Sequence, residues 1–108
     1  MPKRYCFTWN NYGSDIPSLM ERFATEHCKY LVYGKEVGES GTPHLQGFFT
    51  LKKEKRITGL KKLGLSCHLE VTKGTSLQAS DYCKKEKDFV EFGTPPTPGQ
   101  RNDLSYAT

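Results

Sequence analysis

The sequence predicts an α+β fold, a five-stranded antiparallel sheet with flanking helices lying mainly on one side. Three observations carry this. Short aromatic and β-branched segments alternate apolar and polar residues, other segments repeat apolar residues at helical spacing, and they follow one another as β-α-β-β-α-β-α-β.

Each element has its own signal. From Arg4 to Asn11, Tyr5, Phe7 and Trp9 point one way while Cys6, Thr8 and Asn10 point the other, the period of a strand. Tyr12-Gly13 closes it. Ser14 or Asp15 can cap a helix that tolerates Pro17 in its first turn and repeats Ile16, Leu19, Met20, Phe23, Ala24 and His27. Tyr30 to Glu36 reads as a second strand, Gly38 to Gly41 as a turn and His44 to Leu51 as a third strand. That strand puts His44, Gln46, Phe48 and Thr50 on one face and Leu45, Gly47, Phe49 and Leu51 on the other. Lys55 to Leu63 is a short basic helix, Cys67 to Thr72 a fourth strand, Ser76 to Glu86 a helix capped by Thr75 or Ser76, and Phe89 to Phe92 a last strand. Beyond Thr94, Pro95, Pro96, Pro98 and Gly99 signal a linker, so residues 1–94 are expected to form one domain and 95–108 a connection.

Composition narrows the function. At 108 residues and 35% hydrophobic there is material for one modest core. Six Tyr, six Phe and one Trp exclude a disordered chain. A formal charge of +4 and a pI near 8.9 permit a polyanionic partner without requiring one. The four cysteines, Cys6, Cys28, Cys67 and Cys83, form no CxxC pair, which argues against structural zinc and for free thiols in a reducing interior. No signal peptide or long apolar run points to a membrane, and no G-x-x-x-x-G-K-[ST] loop points to an ATPase.

Two short motifs carry chemistry. In His44-Leu45-Gln46 an imidazole and an amide oxygen share one face of a strand, and an amide oxygen suits magnesium or manganese better than zinc. If strands two and three form a hairpin, the Glu36 carboxylate completes a mixed nitrogen and oxygen donor set. Taken alone, His-x-Gln is also what a solvent-facing polar pair gives. The second motif is Tyr82 and Lys85, three residues apart on one helical face. A phenol of ordinary pKa near 10 is a poor nucleophile and needs a neighbouring cation and a polarised phosphate. An amphipathic helix with a snorkelling lysine produces the same pair.

Order and spacing make the pieces specific. Cys6-Phe7-Thr8-Trp9-Asn10-Asn11 resembles the first motif of circovirus and cyclovirus replication initiators, with Trp9 where Leu is usual. Thr42-Pro43-His44-Leu45-Gln46-Gly47-Phe48 resembles their second motif, and Asp81-Tyr82-Cys83-Lys84-Lys85-Glu86 their third. Cys67-His68-Leu69-Glu70, Lys73-Gly74-Thr75 and the tail Pro98 to Leu104 are similar as well, so the resemblance spans about residues 4 to 104.

The resemblance implies a DNA endonuclease of the HUH class, with the His44-Leu45-Gln46 motif on the central strand of a five-stranded antiparallel sheet. Carried over by position, Glu36, His44 and Gln46 would bind Mn2+ or Mg2+, with Glu39 an available substitute for Glu36. Tyr82 would attack a phosphate of single-stranded DNA at a stem-loop origin and Lys85 would neutralise charge there. The resemblance further implies rolling-circle replication in the host nucleus and a helicase domain beyond the linker. It implies oligomers of the full-length protein through regions outside a monomeric nuclease fragment. DNA-contact candidates are Asn10, Asn11, the aromatics of the first strand, the basic Lys52, Lys53, Lys55 and Arg56, and the polar pair His68 and Glu70. The rival expectation is a non-catalytic nucleic-acid-binding module of RRM-like fold, with Phe7 and Phe48 or Phe49 as stacking aromatics.

Overall fold

A computed structural model describes residues 2–96, so the expected linker from Thr97 onward lies outside the described residues. The elements follow in the expected order: β1 (Arg4–Asn10), α1 (Ile16–His27), β2 (Cys28–Val37), β3 (Pro43–Leu51), α2 (Ile57–Lys62), β4 (His68–Val71), α3 (Ser76–Cys83) and β5 (Phe89–Gly93). The five strands form one sheet in the order β4-β1-β3-β2-β5, every neighbouring pair antiparallel, with β3 in the centre. The expected fold class holds.

Alternation along the strands divides the sheet into two faces. Tyr5, Phe7 and Trp9 of β1, Leu31 and Tyr33 of β2, Leu45 and Phe49 of β3 and Leu69 of β4 point to one face. There they meet Ile16, Met20, Phe23 and Ala24 of α1 and Leu60 of α2. Phe49 is the hub, its ring 5.1 Å from that of Phe23 in an edge-on arrangement and 6.0 Å from Phe7. Gly47 leaves the space that the Phe7 ring occupies, because a Cβ there would come within 2.0 Å of it.

The opposite face is thinner. Among the described residues only α3 covers it, its Cys83 and Ala79 packing with Tyr30, Val32, Phe48 and Cys6 of the sheet in a small cluster. Two helices therefore lie on one side and one on the other, as expected for helices mainly on one side.

Helix α3 starts where expected and stops early. Thr75 is the N-cap, with a capping box in which Gln78 N–H donates to the Thr75 hydroxyl and Thr75 N–H donates to the Gln78 side chain. The helix was expected to reach Glu86, yet it ends at Cys83. The next turn tightens to three-residue hydrogen bonds, Lys84 N–H to Asp81 O and Lys85 N–H to Tyr82 O, and Lys87 takes a left-handed φ of 64°. Nothing in Lys84-Lys85-Glu86-Lys87 announces that stop, because it contains no Gly or Pro. At α1, Asp15 occupies the cap position but its side chain makes no capping bond.

Candidate active site

The thinly covered face carries the polar residues singled out in the sequence. The β2–β3 hairpin pairs Glu36 with His44, and β1 pairs Asn10 with His44 and Thr8 with Gln46. Glu36, His44, Gln46, Thr8 and Asn10 thus share a face as neighbours in the ladder, at the end of the sheet near the hairpin turn. Glu39, the alternative carboxylate, lies in the exposed turn outside this ladder.

Glu36 is the hub of the cluster. One carboxylate oxygen, Oε1, lies 3.2 Å from Nε2 of His44. The other, Oε2, accepts a short charge-assisted hydrogen bond from the Lys85 ammonium. The Glu36 side chain keeps only 11% of its exposure, so a carboxylate is held in a largely dry place by two cationic or cationisable neighbours. Gln46 is oriented by its surroundings. Its Nε2 donates to the Phe7 carbonyl at 3.4 Å and its Oε1 accepts from the Thr8 hydroxyl at 3.5 Å. A carbonyl can only accept, which decides the sense of the amide and leaves its oxygen on the side of Thr8.

Above this cluster lie Tyr82 and Lys85. The turn that ends α3 keeps them together although Lys85 stands just past the helix, and the Lys85 Nζ sits 3.8 Å from the centre of the Tyr82 ring. Tyr82 is 55% exposed, unusual for a large ring in a chain that buries most of its aromatics. Partial burial opposes the Lys85 charge, but the hydrogen bond and charge of Glu36, with a smaller contribution from the Tyr82 phenol, hold its pKa above the ordinary lysine value. An open groove of about 330 Å3 runs past Tyr82, lined by Gln46, Glu70, Lys73, Gln78 and Tyr82 itself. A larger cavity of about 500 Å3, between Tyr30, Thr50, Lys52 and Ser76, is lined by none of Glu36, His44, Gln46, Tyr82 and Lys85. The smaller groove is the one beside the polar cluster, because the exposed phenol and the ladder's amide line it.

How α3 reaches this position is a matter of one glycine and one ion pair. The Cys83 carbonyl rests on β2 at Gly34, where a Cβ would lie 2.0 Å from that oxygen. At the next turn, Glu91 of β5 accepts from Tyr30 of β2 at 2.5 Å and pairs with Lys84 at 2.6 Å. Sequence reading missed Thr8, Gly34 and Glu91 in these supporting roles. The alternation of β1 already put Thr8 on the face of Gln46, whereas Gly34 and Glu91 give no local signal.

The remaining candidates divide. Asn10 is exposed beside His44, and Asn11 turns away from the strand with φ 51° and its N–H on the Pro43 carbonyl. His68 and Glu70 of β4 lie on the site's face, opposite Thr8 and Cys6, and join each other at 3.0 Å. The hydrogen bond from His68 lowers the Glu70 carboxyl below its ordinary value. Lys52, Lys53, Lys55 and Arg56 are not brought to the site. They follow the far end of β3, roughly 25 Å from His44 at strand rise, with Lys52 donating to the Thr25 carbonyl. The aromatics of β1 are excluded as stacking platforms, because Tyr5, Phe7 and Trp9 are buried under α1 and α2. All four cysteines are free, and burial pushes the thiols of Cys28 and Cys83 up to about 12. None of the described helices is long and apolar enough to cross a membrane.

Among the described residues no three His, Cys, Asp or Glu side chains gather into a metal cage. A cation at this site would take Glu36, His44 and the Gln46 amide oxygen. Two oxygen donors and one imidazole fit a hard divalent cation of the Mg2+ or Mn2+ kind and suit zinc poorly.

Fold and site together define an α+β protein that holds a carboxylate, an imidazole and an amide beneath an exposed tyrosine on one sheet face. The chain belongs to a family of viral replication proteins: residues 2–86 match the family described as "Putative viral replication protein". It is 43% identical over 104 residues to the replication-associated protein of human associated cyclovirus 1, covering 94% of this chain and 37% of that one. It is 40% identical over 105 residues to that of canary circovirus (97% and 36%) and 41% identical over 108 residues to that of porcine circovirus 2 (97% and 34%). The chain thus spans about a third of the length of these relatives.

Proposed function

We propose that this chain is a metal-dependent, site-specific endonuclease and strand transferase for single-stranded DNA, which starts and ends rolling-circle replication of a viral genome at a stem-loop origin. The observation that carries the reading is the stacking of two layers of chemistry: Glu36, His44 and Gln46 on the sheet, with Tyr82 exposed above them and Lys85 touching both layers. Membership of a viral replication family supports the nucleic-acid substrate.

In this reaction the DNA phosphate lies in the groove beside Tyr82. Bound Mn2+ or Mg2+ supplies polarisation of a phosphoryl oxygen and offsets negative charge as it develops. The Tyr82 phenolic oxygen forms a bond to phosphorus as the bond to the 3′-oxygen breaks in line with it. The phenol gives up its proton and the departing 3′-oxygen takes one, so the 5′-phosphate remains on Tyr82 as a phosphodiester. One phosphodiester replaces another, and a later 3′-hydroxyl can reverse the step and join strands. Lys85 holds positive charge beside the phenol and offsets the negative charge carried by the phosphate there. Asn10, His68 and Glu70 share the same open face and are offered as contacts to the strand. Action in the host nucleus, and assembly of the longer protein, belong to the same proposal.

The non-catalytic RRM-like module gains no support, because Phe7, Phe48 and Phe49 are each buried and offer no base a stacking surface. The test is cleavage of a stem-loop-derived single-stranded oligonucleotide by wild type and by Tyr82→Phe, with manganese and with chelator. We expect metal-dependent cutting and a covalent protein–DNA adduct from wild type, and no adduct from Tyr82→Phe. Cutting that survives Tyr82→Phe would remove the nucleophile assignment, and salt-sensitive binding without cutting would favour a binding module.

A further inference from the structure

The Lys85 ammonium lies against Glu36 Oε2 on the side of the carboxylate turned away from His44, while Oε1 faces the imidazole. It is thus the group that balances the Glu36 charge. The same ammonium lies against the Tyr82 ring, so the two layers of the site compete for a single cation. A carboxylate at 11% exposure whose charge is already balanced on Oε2 gains less from a second cation placed on Oε1, because two cations on one carboxylate repel each other. The lysine tether, in turn, is long enough to swing: Lys85 stands past the end of α3, in a turn, with a side chain 35% exposed.

We propose that Lys85 is a place-holding cation for Glu36, displaced by the divalent metal and thereby delivered to the Tyr82 phenol. This rests on the donor-set reading given above and adds a direction of exchange to it. Metal entry and the release of Lys85 would be one event: the Glu36–Lys85 contact would break, and the ammonium would be left beside Tyr82 and the incoming phosphate. Lys85 is then a positioning residue that opposes metal binding, the reverse of what a metal-supporting group would do.

The consequence is measurable without any DNA. Titration calorimetry of the full chain with MnCl2 is compared for wild type, Lys85→Gln, His44→Ala and Lys35→Gln. Lys35 neighbours Glu36 in the chain, points to the opposite face of β2 and is exposed, so its variant removes the same charge without touching the contact. Lys85→Gln should bind Mn2+ roughly fivefold tighter, the size of effect expected when a partly exposed ion pair no longer has to be broken. Lys35→Gln should stay near wild type and His44→Ala should lose the site. In wild type, trace acetylation of Lys85 read by peptide mass spectrometry should rise when Mn2+ is added, a readout that needs no variant to fold. Unchanged or weaker Mn2+ binding by Lys85→Gln, equal tightening by Lys35→Gln, or Lys85 labelling that stays constant would each overturn the exchange while leaving the donor set intact. Failure of wild type to bind Mn2+, or wild-type binding by His44→Ala, would remove the donor set itself and the exchange with it.

Discussion

At the residue scale the proposed metal site is a question of donor hardness. Gln46 offers an amide oxygen whose orientation is fixed by the Phe7 carbonyl and the Thr8 hydroxyl. Replacing that oxygen by an imidazole nitrogen makes the set softer, one carboxylate with two nitrogens, and zinc gains more from such a change than magnesium does. Gln46→His should therefore raise Zn2+ affinity by about tenfold or more while Mg2+ affinity stays level or falls, as read by calorimetry with each metal. Equal gains for both metals would show that Gln46 does not contribute its oxygen. Much of this site was legible beforehand. Alternation alone put His44 and Gln46 on one face, and the third-residue spacing put Lys85 with Tyr82. The choice between Glu36 and Glu39 was not legible, because it depends on how many residues the hairpin turn consumes. The register, Glu36 opposite His44 and Val37 opposite Pro43, is what settles which carboxylate adjoins the imidazole.

At the scale of elements, the position of α3 governs everything that Tyr82 can do. The helix is only eight residues long and its N-terminus is well capped, so its placement depends on what its C-terminal turn rests on. That support is Gly34, where β2 presents bare backbone to the Cys83 carbonyl. A methyl group there cannot be accommodated by rotating a side chain, because the obstructing atom is backbone. Gly34→Ala should cost about 1–3 kcal/mol in urea unfolding and should lower adduct formation more than the lost stability explains, since the turn bearing Tyr82 and Lys85 must lift. A variant with wild-type adduct yield would show that the close approach of α3 is dispensable. The sequence hides this contact. A glycine inside a strand signals some close approach, yet its partner here lies 49 residues further along the chain. The early end of α3 was hidden for a related reason, since tertiary contacts of Lys84 and Lys85, rather than a stop residue, draw the chain out of the helix.

At the scale of the whole molecule the two sheet faces are unequal, and that inequality sets where the protein yields first. Among the described residues one face is sealed by two helices and a large aromatic core; on the other, α3 packs its Cys83 against Tyr30, Val32 and Phe48. The order β4-β1-β3-β2-β5 that creates these faces was not readable, because strand pairing is chosen by long-range packing and not by any one segment. On the thin side the tie across elements is Glu91, which joins Lys84 after α3 to Tyr30 in β2. Partial burial alone would raise the Glu91 pKa, but the hydrogen bonds from Lys84 and Tyr30 outweigh it and hold the carboxyl below its ordinary value. A carboxyl whose folded pKa is depressed stabilises the fold above its unfolded value, near the ordinary carboxylate range, and that contribution fades as pH falls through the depressed value. Glu91→Gln should thus lose about 1 kcal/mol relative to wild type at pH 7, with the gap closing as pH is taken below about 4. Hydrogen exchange should locate the loss in α3 and its following turn, ahead of the strands of the sealed face. A gap that stays constant from pH 7 to pH 3 would mean that the Glu91 charge does not secure α3, and that the thin face is held instead by contacts such as Lys85–Glu36 and the packing around Phe48.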